Sequence, residues 1–530
     1  MKNNKYGSKY YIYISALIVL SFFVLLFYPI IFVFKNTTLD KFLEVINTKV
    51  FIGALKNSFL FSFISTVLSM TLSFIAALSI ERSTIKFKNV FSFIYILPML
   101  VPSISHSFGI VSVLGHNGFI TRVLNLDINI YGAKGIVLGS IMYAFPVAFI
   151  MFRTVLKYED GNVYNVCKII GIDSFHQLKD ITMPYLNKTF ILTFFSIFSL
   201  IITDYGVPIM IGAKTITIPV LIYNKVIYSL DYSSGCTLAI FLLMPAIISF
   251  IVDIFYREKD NTEYDNSIIL LENNKILSII LYFFNIIICS FILLTLSSFI
   301  FILFAKKYPI NISFTFDNII KTIKKGADIY LYNSIIISVF TGLIGTFLSF
   351  LCAYISSRIS SKISKLVHVC AIISMAIPGI VLGLSYLITF KKSLIYGSII
   401  ILIVVNIFHF ISYPYILAYN SLNKLNINLE RVGETLGINR FYIIRDVIVP
   451  QLKNSLVEMF TYFFINSMMT ISAVAFLVPP APKPISLMIN QFNDQLLIEC
   501  AAFVSLMILF VNIIIKILFN FLLQKKINNI

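Results

Sequence analysis

Three ionisable side chains, Asp204, His409 and Glu458, interrupt apolar runs of this sequence. A charge at the centre of a bilayer costs about 2.5–3.5 kcal/mol on insertion scales, so each is a candidate for handling an ion or solute. His409 reads first as a packed, hydrogen-bonded side chain and second as a pathway group. The five histidines (106, 116, 176, 368 and 409) are too dispersed for a metal cluster. The six cysteines form no CxxC pair and lie mostly in apolar runs, where they read as small packing residues. No GxxxxGK[ST] phosphate loop, HExxH or GxSxG occurs, so neither nucleotide hydrolysis nor an intramembrane hydrolase is expected of this chain.

A second kind of chemistry, docking, is written in a polar segment that occurs twice. NVCKIIGIDSFHQLKDITMP at 165–184 and RVGETLGINRFYIIRDVIVP at 431–450 share Gly, Ile, Phe, Asp, an aliphatic residue and Pro at identical spacing. The shared residues include Gly171, Phe175, Asp180, Ile181 and Pro184, matched by Gly437, Phe441, Asp446, Val447 and Pro450. A glycine between two short amphipathic pieces permits a sharp turn at positive φ, and the proline marks where the next span begins. Ile172, Phe175 and Leu178, like Ile438, Phe441 and Ile444, recur every third residue and give one apolar face. Such a helix could insert into a groove of a soluble partner or lie on the membrane surface. Two copies with the same spacing favour the first reading.

The elements that must carry these residues are membrane helices. Of the 530 residues 58% are apolar and 12% charged, against about 25% charged in soluble chains. The expected fold is all-α, a polytopic transmembrane protein. Twelve apolar runs are candidate spans: 11–34, 54–80, 89–114, 134–156, 188–212, 234–256, 276–304, 330–356, 366–390, 395–419, 452–478 and 498–522. The first is too long for a secretory signal and reads as an uncleaved span. With a cytoplasmic N-terminus, most of the 41 Lys and Arg fall inside, Arg82 and Arg358 among them. The net charge of +17 is then a topology signal. No soluble basic domain exists to bind nucleic acid.

The runs divide into two homologous six-span halves. Asn57-Ser58 matches Asn333-Ser334 at an offset of 276, as do Ser73-Phe74 and Ser349-Phe350, Arg82 and Arg358, Pro102 and Pro378. The repeated polar segment recurs at an offset of 266. The expected organisation is a first half at 1–256 with its loop at 158–187, a polar linker at 257–275, and a second half at 276–530 with its loop at 422–453. An even number of spans per half makes the repeat parallel, with a path between the halves.

The repeated segment resembles the EAA loop of ATP-binding-cassette importer permeases. TDYGVPIMIGAKTITIPVLIY (203–223), NSMMTISAVAFLVPP (466–480) and AIPG (376–379) are similar to stretches of fused permeases in the ferric-iron and 2-aminoethylphosphonate group. In place of the EAA triplet stand Asn165-Val166-Cys167 and Arg431-Val432-Gly433, with Glu430 and Glu434 beside the second copy as substitutes for the missing acid. The resemblance implies a permease in a bacterial plasma membrane with both termini cytoplasmic. Two copies of a cytoplasmic ATPase would grip the loops, and an extracellular or periplasmic binding protein would deliver the solute. No cofactor is implied for this chain, ATP being held by the partner subunits. Asp204, Gly206, Pro208 and Ser472 would line the pathway. Ferric iron leads as solute, ahead of organophosphonate, polyamine and thiamine. An ion-coupled secondary transporter is the rival of a different class.

Overall fold

The computed structural model describes residues 5–125, 129–159, 161–256, 275–478 and 483–524. Most of the expected linker, 257–274, lies outside them, as do both chain ends and the Pro479-Pro480 pair. The protein is a helical bundle, and among the described residues its strands are one short hairpin, Ala305–Lys307 against Asn311–Phe314.

Eight helices are long and apolar enough to cross a membrane, and three bent pairs raise the number to eleven. The twelve straight spans expected from the apolar runs are not reached, and backbone chemistry explains why. Runs 89–114 and 366–390 turn by 110° and 107° at Pro102 and Pro378. Proline lacks an N–H and forces its predecessor into extended backbone. Val101 (φ −125°, ψ 150°) and Ile377 (φ −109°, ψ 110°) are extended accordingly. Run 395–419 bends by 53° between Phe410 and Ser412. Run 188–212 breaks after Ile202 and resumes as the short helix Gly206–Ile211. Run 452–478 is helical over only 17 residues, Lys453–Met469.

A long helix organises each half. Lys49–Arg82 starts at Thr48, whose side chain accepts from Phe51 N, buries a stripe of Ser58, Ser62, Ser65, Ser69 and Ser73, and packs chiefly on Ala133–Lys157. Small side chains let helix backbones approach closely in a membrane. Ser73 Oγ donates to Phe145 O at 2.9 Å across that seam. Ala327–Arg358, its counterpart, packs instead on Lys453–Met469 and Ser412–Lys424. There a Cβ on Gly342 or Gly345 would come within 2.7 Å of the Phe460 or Phe463 ring. Ser58 and Ser334 have one role, accepting from Ile218 N (2.8 Å) and Ile485 N (2.7 Å) at the starts of two outlying helices.

The halves exchange their first helices. Lys5–Lys35 packs on the bent pair 362–390 of the second half, with Phe22 edge-on to Phe408. Lys275–Leu303 packs on Ile498–Gln524 of its own half and on several helices of the first half, where Phe299 stacks on Phe108 and Asn285 bonds Ser79 and Tyr95. One contact follows from proline chemistry. Pro29 cannot donate to the carbonyl of Leu25, four residues back, and Tyr386 of the second half donates to that carbonyl at 2.5 Å.

Candidate functional site

The two repeated loops fold alike, because the same residues impose the same backbone. In the first, helix Gly161–Ile170 ends at Gly171 (φ +83°), with Ile172 N bonding Cys167 O at 2.9 Å. In the second, Asn428–Thr435 ends at Gly437 (φ +74°), with Ile438 N bonding Gly433 O at 3.0 Å. Both are six-to-one helix terminations that need a left-handed residue, which glycine supplies without strain. Each loop continues into a short helix, Ser174–Gln177 or Arg440–Ile443, and then a π-turn, Leu178–Thr182 or Ile444–Ile448. Asp180 and Ile181, like Asp446 and Val447, lie in these turns, with Pro184 and Pro450 two residues beyond. Phe23–Phe27 ahead of Pro29 has the same relation. The widened turn relieves the clash a proline ring makes with the carbonyl four residues back.

Burial follows the same register. Val163, Val166, Ile170, Ile172 and Phe175 are exposed, and so are their counterparts Leu429, Val432, Leu436, Ile438 and Phe441. Phe175 and Phe441 are 67% and 63% exposed. Facing inward are Tyr164, Gln177 and Thr182 in one loop, and Glu430, Ile443 and Ile448 in the other. Leu178 and Ile444, expected on the outer apolar face, are half-buried and belong to the inner one. An apolar patch is thus exposed at equivalent positions in both loops.

Each inward face holds an ion pair that the sequence reading did not assemble. Arg82, at the end of its long helix, pairs with Glu159 and donates to Leu156 O at 3.0 Å. Tyr164, in the first loop's helix, bonds Glu159 and lies under the Arg82 guanidinium. Burial pushes the Glu159 carboxyl above its usual range, opposed by Tyr164 and Arg82. In the second half Arg358 Nε lies 2.7 Å from Glu430 Oε1, close enough for a charge pair but out of line for a hydrogen bond. Arg358 Nη2 donates to Leu422 O (2.8 Å) and Leu425 O (3.0 Å), and Tyr354 donates to Glu430 at 3.1 Å. Arg82 and Arg358, read from sequence as membrane-anchoring charges, are thus internal partners. Glu430, expected to stand in for the missing loop acid, points into the protein. Glu434 stays exposed and pairs with Arg440. Asp446 is exposed and held below the usual carboxylate range by Arg445.

The candidate pathway residues lie apart from the loops. Asp204 sits in the break after Ile202, accepting from Val207 N (2.8 Å) and Gly206 N (3.3 Å), with the Ser103 hydroxyl beside it. It therefore caps the short helix that contains Gly206 and Pro208. Ser472 packs where a Cβ on Gly379 would fall 2.6 Å from its Oγ, and a Cβ on Gly206 would fall closer still to Ser103 Oγ. Ser472 occupies the repeat position of Gly206, and Gly379 that of Ser103, so one serine and one glycine meet in each half with their places exchanged. His409 is packed as expected, against Gly379 and Phe410, but its Nδ1 has no hydrogen-bond partner. Glu458 accepts from Tyr413 at 3.0 Å. All six cysteines are buried and free. Among the described residues no three His, Cys, Asp or Glu side chains gather into a metal site.

Comparison with known proteins gives consistent results. The family model described as "binding-protein-dependent transport system inner membrane component" matches twice, at residues 69–258 and 345–528. The chain is 24% identical over 504 residues to the putative ferric transport system permease protein FbpB 1 of Haemophilus influenzae, covering 89% of this chain and 78% of that one. It is 23% identical to the ferric transport system permease protein FbpB of Actinobacillus pleuropneumoniae, covering 89% of this chain and 72% of that one. A putative 2-aminoethylphosphonate transport system permease protein of Salmonella typhi is 24% identical over 38% of this chain and 73% of its own length.

Proposed function

Because the chain belongs to the family of inner membrane components of binding-protein-dependent transport systems, we propose that its two loops are the docking sites of two cytoplasmic ATPase subunits. It is a multi-pass membrane permease. The observation that carries the docking reading is the pair of exposed apolar faces, at matching positions, behind the same glycine turn and π-turn. Each fits a helix-in-groove contact. The two ATPases, on closing over ATP, would draw the loops together and move one half against the other about a path near Asp204, Gly206, Pro208 and Ser472. The loops and both chain ends then face the cytoplasm, and a binding protein delivers solute on the opposite side. Hydrolysis belongs to the partners. The test is co-purification with the cognate ATPase. Phe175→Asp with Phe441→Asp should abolish the complex while leaving the permease folded, and a retained complex would overturn the docking.

For the solute we favour ferric iron, supported by the two ferric permeases that match across most of the chain. 2-Aminoethylphosphonate is the second reading, supported by a match over less than half of it; polyamine and thiamine stand behind. Uptake of radiolabelled Fe(III) by cells expressing the full system, competed by unlabelled Fe(III) and not by 2-aminoethylphosphonate, is the expected result. The reverse pattern would replace iron with phosphonate. Uptake that persists without any ATPase would instead favour the ion-coupled transporter.

A further inference from the structure

A buried junction fastens each loop to the rest of its half, and the two junctions are built from different sequence positions. In the first half the acid, Glu159, precedes the loop helix, and the loop helix contributes Tyr164. In the second half the loop helix contributes the acid, Glu430, at the repeat position of Tyr164, and the tyrosine, Tyr354, comes from the long helix. The outcome is the same in both: an arginine at the end of the long helix, a carboxylate and a phenol. The arginine and carboxylate side chains are at most 9% exposed. The arginine also binds the carbonyl of Leu156 or Leu422, at the end of the helix leading into the loop. Those carbonyls are among the last of their helices, beyond the regular run of intrahelical donors; Leu422 O accepts from Leu425 N at 3.0 Å as well as from the arginine.

From this we infer that Arg82 with Glu159 and Arg358 with Glu430 are the positioning residues that transmit loop movement into the membrane. Three elements meet at each arginine: the long helix, the end of the preceding helix and the loop. A push on the loop reaches the long helix through the charge pair, so loop and helix move as one body. The exposed apolar face holds the partner, and the buried pair carries the motion. The inference rests on the docking reading above and adds to it the route that force takes.

The test uses the full chain assembled with its cognate ATPase in nanodiscs. Spin labels at Lys86→Cys and Lys362→Cys, exposed repeat-related positions just beyond the two long helices, report the distance between helix ends. The native cysteines are all buried. ATP with vanadate should shift that distance in the otherwise unaltered chain. Glu159→Gln with Glu430→Gln, neutral and of the same shape, should leave ATPase co-purification and ATP hydrolysis in place and lose the shift. Glu159→Gln alone should weaken it. Adding Tyr164→Glu, which returns a carboxylate to the junction at the repeat position of Glu430, should restore it. A purely structural role would lower thermal stability without separating hydrolysis from the shift. A full shift in the Gln variants overturns the inference, as does loss of the ATPase from variants that keep their thermal profile, for the junction would then belong to docking. Failure of the unaltered chain to hold the ATPase overturns the docking reading instead.

Discussion

The two loops differ in sequence just ahead of their matched segments and agree in geometry there, where nothing in the motif required it. At the repeat position shared by residues 164 and 430 one half has a tyrosine and the other a glutamate, yet both reach an Arg–Glu–Tyr junction. The Ser103–Gly206 and Gly379–Ser472 contacts exchange their partners in the same way. Packing and charge neutralisation constrain a contact as a whole and leave open which chain segment supplies each part. A repeat compared position by position therefore looks more degenerate than the geometry it encodes.

The comparison is broken most severely at the arginines. Arg358→Met strands the buried Glu430 and Arg82→Met strands Glu159; each should cost about 3–5 kcal/mol, seen as loss of the folded protein by thermal unfolding in detergent. Equal losses mean that the two junctions are energetically equivalent, and unequal ones identify the half that depends on its junction. Next comes the glycine–serine exchange. Gly379→Ser places a Cβ 2.6 Å from Ser472 Oγ and 3.0 Å from His409 Nε2, an overpacking expected to cost about 1–3 kcal/mol. Ser472→Gly in the same chain recreates the first-half contact and should recover much of it in a double-mutant cycle; strict additivity would show that the contacts are not interchangeable. Smaller again are Gly171→Ala and Gly437→Ala. Nothing lies within 4 Å of either added Cβ, so the cost is that of a left-handed backbone alone, about 1–2 kcal/mol and the same in both loops. A larger loss at one glycine would reveal a contact absent from the other. Last is Arg440→Ala, which removes the exposed pair with Glu434 and should shift stability by about 0–1 kcal/mol.

What could be read from sequence was what local chemistry determines. Glycine and proline control the backbone around them, so the turns at Gly171 and Gly437 and the spans beginning near Pro184 and Pro450 could be placed from spacing alone. The same prolines at 102 and 378 were visible as a match, but a hydropathy window sums side chains and ignores backbone donors, so two V-shaped pairs were read as straight spans. Arg82 and Arg358 were matched as well, yet a basic residue at a span end ordinarily signals orientation. Glu159 lies twelve residues ahead of Gly171, outside the motif, and only the tertiary approach of Arg82 reveals it. A buried basic partner was signalled only by the match of two arginines at the ends of the long apolar runs. Asp204 was legible as unusual, but its helix-capping bonds depend on a break that apolar composition conceals.

The exchanged first helices have a consequence in time. Helix Lys5–Lys35 leaves the ribosome before any of its partners in 362–390 exist, so the first half cannot complete its packing until most of the second has been made. The Leu25 carbonyl waits through that interval for the Tyr386 hydroxyl. The second half thus acts as scaffold for the first half's earliest segment, and two polypeptides cut within 257–274 should still find each other when made together, while the first one alone should be left with an unclasped helix.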